Sequence, residues 1–166
     1  MQTRRRILGV DPGLNRCGWG LIVSEGARLS HIAHGVIASD PKQSLGERLA
    51  AVCIGLEAVI GAHRPDEAAV EETFVNANPR AALALGQARG AAMVAVARSG
   101  LLAAEYTPAT IKKAVVGKGQ ADKSQVAFMV RRLLPACGDA SADAADALAV
   151  AICHAAHGGF KERAGG

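Results

Sequence analysis

Aromatic residues are scarce in this 166-residue chain: one Trp, one Tyr and three Phe, 3% of the total. The core must therefore be built from alanine and aliphatic side chains, and an exposed aromatic would stand out. Cysteine is equally thin. Cys17, Cys53, Cys137 and Cys153 are far apart and form no Cys-x-x-Cys pair, which argues against a zinc knuckle or a disulfide framework and reads as reduced, mostly buried thiols of a cytoplasmic protein. No apolar run approaches the ~18 residues of a membrane span, because Arg98, Lys112 and Lys113 interrupt the richest stretches. Arg4, Arg5 and Arg6 near the start are followed by only Ile7 to Val10 before Asp11, so the segment is no secretory signal. Nor is there a large charge excess. The formal charge is +4 with 50% apolar residues, which excludes disorder, and the length suits one domain that buries roughly 70% of its unfolded surface.

What is present has a readable order. Arg6 to Asp11 is a short apolar run stopped by Pro12-Gly13, as in a strand buried on both faces. Cys17 to Ser24 and Leu29 to Ala38 read as two further strands, the second alternating less cleanly. Leu45, Leu49, Val52, Leu56, Val59 and Ile60 then fall at helical spacing, with Ser44 as cap and Pro65 beyond the end. Glu67 to Phe74 is another buried strand, Arg80 to Arg98 an alanine-rich helix, and Leu101 to Tyr106 a short strand. Helices follow, the last marked by Ala144, Leu148, Ile152 and Ala155. Three strands, then helix, strand, helix, strand and helices predict an α/β fold with a mixed five-stranded sheet flanked by helices. Residues 1–157 read as one domain and 158–166 as a flexible tail.

Four acids are oddly placed. Asp11 ends the first strand, Glu71 sits in or just after the fourth, and Asp143 and Asp146 open the last helix. Each has an ordinary reading: an Asx-turn before Pro-Gly for Asp11, solvation for Glu71 or its neighbour Glu72, and capping after Ser141 for the Asp pair. Taken jointly they suggest more. The carboxyl ends of neighbouring parallel strands share one sheet edge, where Asp11 and Glu71 can converge. Residues three apart on a helix differ by only ~60° in azimuth, so Asp143 and Asp146 project to one side. Four carboxylates in one crevice would repel without a cation, and hard oxygen ligands suit Mg²⁺ or Mn²⁺. Two such ions ~4 Å apart clamp the attacking and leaving oxygens of an in-line phosphoryl displacement.

Gly9-Val10-Asp11-Pro12-Gly13, Val70-Glu71-Glu72-Thr73-Phe74, the stretch from Val115 through Gly117-Lys118-Gly119 to Lys123, and Asp143-Ala144-Ala145-Asp146-Ala147-Leu148-Ala149 occur in this order. The ordered set resembles the RuvC family of bacterial Holliday junction resolvases, over about Ile7 to His157. The resemblance implies a ribonuclease H-like fold and a homodimer that makes paired nicks in four-way junction DNA, leaving 3'-hydroxyl and 5'-phosphate ends. It assigns Asp11, Glu71, Asp143 and Asp146 as catalytic, metal-binding acids, with two Mg²⁺ (or Mn²⁺) per site. It also implies cooperation with the RuvA and RuvB proteins.

From Thr110 to Pro135, Lys112, Lys113, Lys118, Lys123, Arg131 and Arg132 stand against Asp122 alone, a local charge of +5. Such runs are usually solvated faces. The Gly117-Lys118-Gly119 loop, though, lets backbone N–H groups approach an anion, which makes Lys112, Lys113, Lys118 and Lys123 candidate DNA contacts, with Arg80 as another. A lone Phe normally packs in a core; Phe74 follows Glu71 by three residues, and a loop aromatic can stack on an unpaired base for ~1–3 kcal/mol. The family carries a functional aromatic at this position, which implies stacking. Trp19 reads as packing, and His154 and His157 as offsetting the C-terminal end of the last helix dipole. Gly86-x-x-x-Gly90 gives a helix surface that either packs on its own sheet or forms a dimer seam. Two rival functions remain open: an actin-like or sugar-kinase-like ATP-binding module, since Gly9 to Gly20 also resembles the phosphate turn of that superfamily, and a non-catalytic junction-binding scaffold whose acids serve only as caps.

Overall fold

A computed structural model describes residues 2–72 and 78–164, with side chains to residue 158. The elements are β1 (Arg4–Asp11), β2 (Arg16–Glu25), β3 (Arg28–Ala38), α1 (Leu45–His63), β4 (Glu67–Glu71), α2 (Pro79–Arg98), β5 (Ala103–Tyr106), α3 (Pro108–Val116), α4 (Lys123–Leu133), a 3₁₀ turn (Pro135–Cys137) and α5 (Ala142–Ala164). Local chemistry sets several of these bounds. Ser44 caps α1 in a reciprocal box with Glu47, and Arg64 ends it in the left-handed region at φ 48°. Asp122, the one acid in the basic stretch, is used up as the N-cap of α4, its carboxylate accepting from Gln125 N at 2.8 Å.

The strands run in the order β3-β2-β1-β4-β5. β1–β2 and β2–β3 are antiparallel, whereas β1–β4 and β4–β5 are parallel, so the mixed five-stranded sheet expected from the sequence is present. The untidy alternation of the third strand has a cause: the β2–β3 register shifts at Leu21/Ile22, a bulge that defeats a strict period of two. The fourth strand stops at Glu71, short of Phe74, which lies outside the described residues.

Side-chain alternation divides the core. Leu8, Val10, Leu21, Ala68 and Val70 pack against Val52, Leu56 and Ile60 of α1 and Ala92, Ala95 and Val96 of α2. Ile7, Ile22 and Ala69 pack on the other face with Leu148, Val150 and Ile152 of α5 and residues of α3 and α4. Asp11 therefore falls on the α5 face with Ile7, and Glu71 with Ala69. Trp19 packs as expected, its ring 5.5 Å from that of His63.

The cysteines are free thiols, three buried and Cys53 half-buried. Burial pushes Cys17 and Cys153 up to about 12, so both are inert at neutral pH. The histidines of α5 require a correction. The helix is continuous to Ala164, so neither lies at its C-terminal end. His154 is tied into a part-buried network instead: its Nε2 lies 2.6 Å from Glu67 Oε2, its Nδ1 lies 2.8 Å from the Tyr106 hydroxyl, and Arg5 Nη1 reaches Glu67 at 3.1 Å. His157 Nδ1 sits 2.8 Å from the Cys153 carbonyl. The chain stays helical past Gly158, where the tail was expected to begin. No helix among the described residues is long and apolar enough to cross a membrane.

Candidate active site

Sequence places Asp11 and Glu71 at the carboxyl ends of β1 and β4; the sheet makes those strands parallel neighbours, in register from Ile7/Glu67 to Val10/Val70. The next position on each strand is the acid itself, on the α5 face. What brings the helix over them is a track of small residues. A Cβ at Gly9 would fall 2.1 Å from the Ala147 carbonyl oxygen, and one at Gly18 would fall 2.1 Å from that of Asp143. Gly18 is paired directly with Asp11. The backbone of α5 thus lies on the sheet beside Asp11, closer than any side chain would allow, and presents its first-turn acids there. Ser141 caps this helix, its Oγ accepting from Ala144 N at 3.3 Å and its carbonyl from Ala145 N at 2.8 Å. That role leaves Asp143 and Asp146 available for other contacts.

All four acids line one cavity of about 380 Å³ together with Lys112, Lys123, Leu85 and Pro108. The Asp11 carboxyl is pushed up to about 9, first by burial, then by its hydrogen bond to Glu71, then by the negative charge of Glu71, Asp146 and Asp143. Asp146 is also raised, chiefly by burial, against the lowering pull of Lys123 and Lys112. Lys123 Nζ lies 3.9 Å from Asp146 Oδ2, and Arg16 Nε donates to Asp143 Oδ2 at 2.8 Å. The four acids lie among three cations, Lys112, Lys123 and Arg16, and burial with their mutual repulsion favours retention of a proton by Asp11. Among the described residues no three His, Cys, Asp or Glu form a ready-made group for a metal ion; two of the acids are turned to cations. The donor set itself, carboxylate oxygen throughout, fits a hard divalent ion such as Mg²⁺ or Mn²⁺.

Of the six residues expected to contact DNA, Lys112 and Lys123 line the cavity. Lys113 on α3, Lys118 in the loop before α4, and Arg80 at the start of α2 are exposed, and none of these three lines it. Phe74 lies outside the described residues. Sequence reasoning missed Arg16, and it missed the glycines that seat α5. Gly9, Gly18 and Gly20 alternate as one face of a strand pair does, a legible signal once β1 and β2 are paired.

The sequence matches the family described as crossover junction endodeoxyribonuclease RuvC over residues 7–154. The enzyme of that name from Caulobacter sp. (strain K31) is 60% identical over 150 residues, covering 90% of this chain and 89% of its own length. The one from Hyphomonas neptunium is 57% identical over 157 residues, covering 95% and 94%. The structure of T. thermophilus RuvC in complex with a Holliday junction substrate superimposes with a TM-score of 0.85 at 32% identity, covering 95% of this chain and 96% of that one. The yeast mitochondrial Holliday junction resolvase Ydc2 shares the fold at a TM-score of 0.67 and 11% identity, covering 91% of this chain and 79% of that one. By sequence and by fold, the chain belongs to the RuvC family of crossover junction endodeoxyribonucleases, divalent-metal-dependent hydrolases that resolve Holliday junctions.

Proposed function

We propose that Asp11, Glu71, Asp143 and Asp146 are the catalytic acids with which this chain nicks four-way junction DNA, and that together they would hold two Mg²⁺ or Mn²⁺ ions. The observation that carries this reading is their convergence, from three separate elements, on one cavity flanked by Lys112 and Lys123. Bound divalent ions would neutralise the scissile phosphate and activate the attacking water. The residues of the chain do the rest. Glu71 and Asp11 fix the sheet side of the pocket and Asp143 and Asp146 the helix side. Lys112 and Lys123 hold phosphate oxygens at its mouth. Water adds to phosphorus as the bond to the 3' oxygen breaks, and the departing oxygen takes a proton, leaving 3'-hydroxyl and 5'-phosphate ends. Lys113, Lys118 and Arg80, which are exposed and do not line the pocket, would meet more distant backbone phosphates, and Phe74 is assigned to base stacking.

Two cuts in one junction call for two equivalent sites, which a two-fold homodimer supplies. On α2, a Cβ at Gly86 or Gly90 would meet nothing within 4 Å, so these glycines do not pack on their own sheet. With exposed Leu83 and Val94 they form an apolar stripe at helical spacing that suits a partner helix. Residues 1–157 are read as the nuclease domain, acting in the cytoplasm, with RuvA and RuvB as the partners the family implies. The test is nicking of a synthetic four-way junction against linear duplex of equal length, with and without Mn²⁺. Junction-selective, Mn²⁺-dependent cutting that Asp11→Asn abolishes while junction binding survives is expected. Metal-independent cutting, or near-normal cutting by the variant, would overturn the assignment.

A further inference from the structure

Arg16 opens β2 two residues before Gly18, so alternation places its side chain on the α5 face, across β1 from Glu71. Its root is fixed. Ser39 N donates to the Asn15 carbonyl at 3.2 Å and Ser39 Oγ to the Leu14 carbonyl at 2.5 Å. Arg48 Nε donates to Ser39 Oγ at 2.9 Å, and Arg48 Nη2 to Asn15 Oδ1. The turn carrying Arg16 is thereby stitched to the end of β3 and to α1. From this fixed root the guanidinium reaches Asp143 Oδ2 through Nε at 2.8 Å, using one of its five N–H donors.

The side chains of the pair are 54% and 34% exposed, so the bond is screened by water and can be broken cheaply. Asp143 Oδ2 cannot be given fully to Arg16 and to a divalent cation at once. A displaced guanidinium at this edge has an evident second ligand, since a planar fork of donors matches a phosphate. Lys112 and Lys123 stand on the α3–α4 side of the acids and Arg16 on the β2 side, so a DNA strand crossing the pocket has a cation on each flank.

We propose that Arg16 is a positioning residue that competes with the divalent cation for Asp143 and, once displaced, binds a backbone phosphate of the incoming DNA strand, so that metal entry and strand engagement favour each other. The inference rests on the assignment of Asp143 as a metal ligand. Because coupling of two ligands is reciprocal, it can be read from either one.

The experiment has two arms. In the first, Mn²⁺ is titrated calorimetrically into the DNA-free wild type, Arg16→Gln, Arg16→Lys and Asp143→Asn. An exposed ion pair is worth little, so Arg16→Gln should bind Mn²⁺ only about two- to fivefold more tightly than wild type. Arg16→Lys keeps the competing charge and should stay near wild type. In the second arm, junction affinity is measured in EDTA and in Ca²⁺, whose loose coordination suits binding without rapid cutting. Ca²⁺ should tighten junction binding in the wild type by a larger factor than in Arg16→Gln or in Arg16→Lys, which lacks the fork. A merely structural Arg16 would weaken junction binding equally in both buffers and leave Mn²⁺ affinity unchanged or reduced, and that result overturns the proposal. Should Asp143→Asn bind Mn²⁺ as tightly as wild type, the metal-site assignment fails first and the Arg16 role falls with it.

Discussion

Replacing Asp11 by Asn should make the metal-free protein more stable at neutral pH. In the unfolded chain this carboxyl ionises near its ordinary value of 3.8, whereas burial and its acidic neighbours push it up to about 9 in the fold. The folded state therefore binds more protons between those two values, and stability falls as pH rises from about 4 to about 9. At pH 7 some three units have been crossed, at ~1.4 kcal/mol each, a ceiling of ~4 kcal/mol. Asp11 is hydrogen-bonded to Glu71 and the amide must still sit among three acids, so the variant should recover ~1–3 kcal/mol, roughly 2–10 °C in Tm for a chain of this size. Melting curves by circular dichroism in EDTA, from pH 5 to pH 9, give the answer. Wild-type Tm should fall across the range and the variant's should fall less. Adding Mg²⁺ should reverse the ranking, since only the wild type gains binding energy. An Asp11→Asn protein that is less stable throughout, or that shows the wild-type pH slope, would refute the reasoning.

Other perturbations address the parts that build the site. Gly18→Ala puts a methyl 2.1 Å from the Asp143 carbonyl oxygen, so it should cost about 1–3 kcal/mol in urea melts and reduce nicking further than the melts alone predict, because α5 must lift from Asp11. Leu148 is fully buried between α5 and the sheet, and Leu148→Ala should destabilise by about 2–5 kcal/mol, measured in the same way. Lys112→Ala and Lys123→Ala should each lower the dependence of log junction affinity on log salt concentration by about 1, if each lysine meets one phosphate.

Periodicity exposed most of the architecture because this chain obeys local rules where it is regular. Ser44 and Pro65 bracket α1, and the apolar run Ile7 to Val10 of β1 betrayed a strand buried on both faces. Asp11 and Glu71 were legible because a carboxylate at the end of a buried strand is costly unless it is used, whereas Asp143 and Asp146 suit a helix start and stood out only when taken with the other two. The remainder depended on contacts between distant segments. Nothing local says that β1 neighbours β4, or that Gly18 must be bare because the Asp143 carbonyl rests on it. Arg16 carries no signal of its own in the sequence; only the pairing of β1 with β2 puts it on the face that holds the four acids. His154 was misjudged because its partners, Glu67 and Tyr106, lie on two other strands.

Iron-mediated cleavage of the protein backbone tests the gathering of the four acids most directly. With Fe²⁺ in place of Mg²⁺ and peroxide added, radicals born at the ion cut the nearest chain segments. The account predicts cuts at the ends of β1 and β4 and in the first turns of α5, all suppressed together by Asp11→Asn and by competing Mg²⁺. Cuts confined to one of those segments, or unaffected by the substitution, would contradict it.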